Sequence, residues 1–133
     1  MRKTWREKLN PSAEPHVSVI PKPFMGKPAG SRLLIATPLL VKGYIESIPY
    51  GEIRTQAQLR DDLAHANGAD LSCPTSSGIF VRIVSEVALE ELAEGKTFDE
   101  VTPFWRVVDP DSPAAQKLSC GPDFIRERRK AER

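Results

Sequence analysis

The sequence is short of several residue types that would define a function class outright. Cysteine occurs twice, at Cys73 and Cys120, and histidine twice, at His16 and His65. Neither cysteine has a CxxC partner, whereas a structural zinc site takes four ligands at short paired spacings. No metal and no cofactor are therefore expected. A disulfide would need the fold to bring the two thiols together, and a reducing compartment opposes it. Long apolar runs are missing too. None approaches the roughly 20 residues of a membrane-spanning helix, so no membrane partner is expected. The opening Met1-Arg2-Lys3-Thr4-Trp5-Arg6 is basic but lacks the apolar stretch of a secretory signal. A cytoplasmic protein is the expectation. An excess of one charge is also absent, with 19 Lys and Arg against 18 Asp and Glu.

What is present is enough chain for one domain, 133 residues of which 40% are hydrophobic. The charge is unevenly spread. Residues 1–33 hold Arg2, Lys3, Arg6, Lys8, Lys22, Lys27 and Arg32 against only Glu7 and Glu14. The last fifteen residues are basic as well, through Arg126, Arg128, Arg129, Lys130 and Arg133, and the middle is acidic on balance. Basic ends either grip phosphates or form solvated tails. Pro11, Pro15, Pro21, Pro23 and Pro28 exclude a long helix from residues 1–32. This segment reads as a Pro-rich basic arm that crosses the domain or stays partly disordered, and residues 33–133 as the domain itself. Leu33-Leu34-Ile35 is a short strand or a docked segment.

Helix signals are clearer. Thr37 with Pro38 is an N-cap followed by proline at the first helical position, and Leu40, Val41, Tyr44, Ile45 and Ile48 recur at helical spacing. Pro49 and Gly51 stop that helix. Thr55-Gln56-Ala57-Gln58 is a capping box opening a second helix, which ends at Asn67-Gly68. A third opens near Ser72-Cys73-Pro74 and runs toward Gly95. Ile79, Ile83 and Val87 form one row on it, with Phe80, Val84 and Ala88 alongside. Its far end carries Glu86, Glu90, Glu91 and Glu94, so only its first turns, with Thr75, Ser76, Ser77 and Arg82, could approach DNA phosphates. Ser112-Pro113 opens a short helix through Leu118, and a basic helix over 123–133 closes the chain.

Three segments in this order resemble the DNA-binding domain of alkylguanine-DNA alkyltransferases, and in character the alkyltransferase-like proteins that lack the acceptor cysteine. They are Ile48-Pro49-Tyr50-Gly51-Glu52-Ile53-Arg54-Thr55, Cys73-Pro74 with its small-residue helix start, and Pro103-Phe104-Trp105-Arg106-Val107-Val108. The last reads against the family's Pro-Cys-His-Arg-Val-(Val/Ile). The resemblance spans residues 37–131. It implies a mainly α, helix-turn-helix (winged-helix-like) domain, with short strand or extended segments, that binds double-stranded DNA carrying a damaged base and recruits a repair-protein partner. It assigns DNA contacts to Arg54, Thr55, Gln56, Thr75, Ser76, Ser77 and Arg82, and a base pocket to Pro103, Phe104, Trp105 and Arg106.

The departures bear on chemistry. In the family a cysteine thiolate takes the alkyl group, activated by a neighbouring histidine and a glutamate. Phe104 and Trp105 stand at the cysteine and histidine positions, and neither forms a thiolate nor relays a proton. The loop after Val108 is short, the family's helix arginine falls near Gly78, and its tyrosine falls near Thr55 or Gln56.

Each candidate has a plainer alternative. Phe104-Trp105 either stacks on an extruded base or packs in the core, although two adjacent aromatics cannot both face one way in an extended segment. Arg106 holds carbonyls or a carboxylate in the plainer case. The hydroxyls of Ser72, Thr75, Ser76 and Ser77 bind phosphate or cap the helix. Cys73, at a helix N-terminus, is a nucleophile of relocated chemistry with His65 approaching through the turn, or a small capping residue. A regulator or interaction module on the same scaffold is the remaining alternative.

Overall fold

The proline-rich start of the chain is a β-hairpin. The computed structural model describes residues 3–133, and in it β1 (His16–Val19) runs antiparallel to β2 (Arg32–Ile35), with His16 opposite Ile35 and Val19 opposite Arg32. At the tip Phe24 and Lys27 exchange two backbone hydrogen bonds of 2.9 Å. Between them Met25 and Gly26 take φ of 54° and 78°, the left-handed pair of a type I′ turn. The arm thus crosses the domain by adding a strand to it. Ahead of the hairpin, the single turn α1 (Trp5–Lys8) lies against a long helix, with Arg6 paired to Glu94 at 2.5 Å.

β3 (Leu71–Ser72) joins the other edge of β2 in parallel, Leu33 opposite Leu71 and Leu34 opposite Ser72. A parallel pair needs a long crossover, and α2 (Pro38–Glu46) and α3 (Gln56–Ala66) supply it. Their starts follow the local signals. Thr37 Oγ1 accepts from the Leu40 N–H at 3.1 Å ahead of Pro38. The Thr55–Gln58 box closes with bonds of 2.8 and 3.0 Å. α4 (Pro74–Ala93) follows β3, then a 3-10 turn at Phe104–Arg106, α5 (Pro113–Lys117) and α6 (Gly121–Ala131).

The architecture of the described residues is therefore mixed α/β, mostly helical, with the expected short strand segments gathered into a small three-stranded sheet. No described helix is long and apolar enough to cross a membrane. The core gathers Leu34, Val41, Ile45, Leu59, Val81, Val84 and Ile125 around the buried aromatics Phe104 and Trp105.

One carboxylate closes the structure. Glu132, an acid within the basic tail, is buried. Its Oε2 accepts from Trp105 Nε1 at 2.7 Å, and its two oxygens accept from Arg106 Nε and Nη2 at 2.9 and 3.1 Å. The Gly51 N–H reaches it at 3.3 Å, while Arg106 Nη1 donates to the Ile48 carbonyl at 2.7 Å. Gly51 has φ +85°, and a Cβ there would stand 3.0 Å from the Glu132 carbonyl, so only glycine lets the chain end dock here.

Burial alone would raise the Glu132 pKa. The bonds from Arg106, Trp105 and Gly51, with the Arg106 charge, outweigh it and hold the carboxyl below the usual carboxylate range. A depressed folded-state pKa stabilises the fold above the unfolded value of about 4.3. That contribution is lost as pH falls through the folded value. Glu132→Ala, which leaves Arg106 buried without its partner, is expected to cost about 3–5 kcal/mol in urea unfolding. Glu132→Gln should flatten the stability loss below about pH 4.3, a slope readable from acid-unfolding curves. An unchanged urea midpoint in Glu132→Ala would contradict this account.

Candidate functional site

The expected DNA-contacting turns of α4 stand beside an open cleft. Their geometry begins at Cys73, the N-cap, whose carbonyl accepts from Ser77 Oγ at 2.8 Å. Ser77 is buried, so its hydroxyl is spent inside the helix and offers nothing to a phosphate. Ser72 is likewise turned inward, Oγ donating to the Arg60 carbonyl at 2.7 Å and tying β3 to α3. Thr75 is exposed and Ser76 half-buried.

Thr75, Gly78, Ile79 and Arg82 follow the i, i+3, i+4, i+7 spacing of one helix face. They form one wall of a cleft of about 300 Å³ whose other wall is Val108, Ala114, Lys117 and Leu118. Ile79 is 53% exposed there, so the row 79, 83, 87 does not run unbroken into the core. A Cβ at Gly78 would meet no neighbour within 4 Å. No acid occurs between Cys73 and Ser85, and Arg82 and Lys117 bring positive charge to the two walls. The Arg82 guanidinium lies 5.3 Å from the Trp5 ring, which links the arm to this face.

The second expected group lies one wall away. Arg54, Thr55 and Gln56 line a cleft with Val107, Ser112 and Arg129, and both clefts share Ala114. Arg54 is already engaged, its Nη2 with Glu52 at 2.8 Å and its Nη1 with the Ile53 carbonyl at 3.1 Å. Thr55 Oγ1 is held by the capping box.

Of the expected base pocket, Pro103 and Arg106 line an open cleft with Tyr50, Phe98 and Arg128, whereas Phe104 and Trp105 are closed to any ligand. Phe104 and Trp105 are 0% and 1% exposed. Phe104 stacks on Phe124 with centroids 5.9 Å apart and meets Trp105 edge-on at 5.4 Å. The expectation that neighbouring aromatics must diverge assumed extended backbone. A 3-10 turn advances about 120° per residue rather than 180°, so both rings reach one core. Pro103 is buried beside them, and Arg106 is the cation that holds Glu132 and Ile48.

The basic tail is also partly structural. Arg129 donates from Nε to the Trp105 carbonyl at 2.7 Å and from Nη2 to the Val108 carbonyl at 2.9 Å. Arg128 lies 3.6 Å over the Phe98 ring, and Arg126 pairs with Asp111 and Asp123. Among the acids of α4, Glu86 is buried and accepts from Ser119 Oγ and N at 2.6 and 3.1 Å. The roles of Arg129, Arg128 and Glu86 carried no local signal, because their partners lie more than twenty residues away in sequence.

Comparison with known proteins returns no match, whether to family models, to curated proteins or to solved structures. Among the described residues no group of three or more His, Cys, Asp or Glu side chains gathers as a metal site.

Both cysteines are free thiols. Burial works against ionisation of Cys73, but the Ser76 hydroxyl, 3.4 Å from Sγ, and the Ser76 and Thr75 backbone N–H groups together bring its pKa below the usual thiol value. His65 is exposed and forms no hydrogen bond with it. Burial pushes the Cys120 thiol up. Since the thiolate is the reacting species, iodoacetamide at neutral pH should label Cys73 before Cys120, as peptide mass spectrometry would show. Faster labelling of Cys120 would overturn the assignment.

Proposed function

We propose that this chain binds duplex DNA in the manner of the alkyltransferase-like proteins it resembles, and does not transfer an alkyl group at position 104. The reading is carried by one observation: the N-terminal half of α4 is acid-free and presents Thr75, Gly78, Ile79 and Arg82 along an open, largely apolar cleft. α3 and α4 act as the helix-turn-helix pair of a winged-helix-like module, with α4 in the minor groove and its first backbone amides directed at phosphate. Thr75, Ser76 and Arg82 take the backbone contacts, with Arg54, Thr55 and Gln56 flanking them. An extruded damaged base enters the cleft beside α4 rather than the core at Phe104. The bound lesion is then flagged to a repair-protein partner in the cytoplasm.

The Trp105–Glu132 bond adds support. The resemblance implies a glutamate alongside the histidine, and Trp105, at the histidine position, donates to a buried glutamate at 2.7 Å. On this reading the scaffold of that site is kept while its reactive groups are replaced.

A titration of alkylguanine-containing against undamaged duplex tests the reading, with tighter binding to the former expected. Arg82→Ala should weaken binding and lower the magnitude of the log–log salt slope by about 1. Ser76→Glu should weaken it by placing an acid against phosphate, and Lys130→Ala on α6 should leave it unchanged. Equal affinity for the two duplexes would remove lesion sensing, and no binding at low salt would remove DNA reading altogether.

The depressed pKa of Cys73, at the mouth of the same helix, favours a second reading, in which this thiol is the nucleophile of a DNA-modifying enzyme. It requires a mass gain on the Cys73 peptide after incubation with alkylated DNA.

A further inference from the structure

The outer edge of β1 is built to pair with itself. Ile20 N donates to the Ser31 carbonyl at 3.0 Å, and the β1–β2 register then turns the backbone groups of Ser18 and His16 toward β2. Val17 and Val19 therefore direct their N–H and C=O groups outward, away from the sheet. β1 is the terminal strand of the three, and both valines are exposed, at 41% and 65%. The next outward positions are Pro15 and Pro21, which have no N–H to offer. The free edge thus carries two donors, at Val17 and Val19.

We propose that a second copy of this chain adds its own β1 antiparallel to this edge, about a two-fold axis at Ser18. In that register Val17 of each copy faces Val19 of the other, and the pairs exchange four N–H···O=C bonds that use every outward donor. Pro15 faces Pro21, so no donor is left unpaired. Glu14 of each copy faces Lys22 of the other, placing opposite charges at both ends of the seam, and the four valines cover one another on one face. A register shifted by two residues sets Val19 against Pro15, or Val17 against Pro21, and separates Glu14 from Lys22. The pairing is isologous and closed, and it joins two three-stranded sheets into one. The seam is short, so the dimer is concentration-dependent. It involves neither α4 nor the cleft, and stands whether or not the chain binds DNA.

Sedimentation velocity of the full chain over a concentration series should show a monomer–dimer equilibrium. Val17→Glu with Val19→Glu sets like charges across both pairs and should raise the dimer Kd by about tenfold or more. Val17→Lys with Val19→Glu sets opposite charges across the same pairs and should restore it. Thermal melts at low concentration should match the parent, because both side chains are exposed. If either valine variant melts differently, Glu14→Lys, outside the strand, should still weaken the dimer, and Glu14→Lys with Lys22→Glu should recover it. A monomer at every concentration, a dimer indifferent to Val17→Glu with Val19→Glu, failed rescue in a variant of native melt, or open-ended assembly would each overturn the proposal.

Discussion

The C-terminal half of this protein depends on the buried carboxylate of Glu132. Four donors converge on it: the Trp105 indole, two guanidinium nitrogens of Arg106, and the Gly51 amide. These join the turn after α2, the 3-10 turn and the end of α6, three segments far apart in sequence. A buried ion pair is weak evidence of net stability, because desolvation offsets much of its attraction. What this one supplies is position. It fixes the 3-10 turn, from which Val107 and Val108 follow directly, and Arg129 holds the Trp105 and Val108 carbonyls on the same side. Val108 and the start of α5 are a wall of the cleft beside α4. One wall of the cleft therefore follows from the turn that this contact holds.

Features set by neighbouring residues were legible in the sequence. The caps at Thr37, Thr55 and Ser112 depend on bonds spanning three residues, and all three start helices. The hairpin was not legible. Its tip uses Met25 at positive φ, a residue with no turn preference, and its prolines pointed to an arm crossing the domain without a strand partner. Strand β3 was invisible for a related reason: two residues form it, and their partner lies across two helices.

The candidate cleft was legible in its helix and not in its walls. α4 is buried nearly all round from Val81 to Ala88, including Glu86 and Ser85, and a helix apolar on every side gives no periodic clue to where it surfaces. Periodicity therefore enrolled Ile79 in a core row, while the structure leaves it lining the cleft. Ser77 was misplaced by the same limit, since the hydroxyls of one turn look alike until the helix is oriented. Glu132 was hidden among tail charges because its four partners are assembled only by the fold.

On the proposed reading, Phe104 stands where a reactive group is missing, and that changes more than chemistry. A nucleophile must be reachable by substrate and served by a base. Phe104 and Trp105 instead lie within an aromatic cluster with Phe98 and Phe124, and the indole nitrogen is a donor to Glu132 that can accept no proton. Two large aromatics bury some 150–250 Å² each, so they strengthen the core where a reactive pair would have needed space. The residue that stands, on that reading, at the alkyl-acceptor position also fills the room an extruded base would have required. On the proposed reading, recognition has to move outward to α4, where Gly78 leaves space and Arg82 stands free of acids. Loss of the nucleophile and relocation of the pocket are then one packing event.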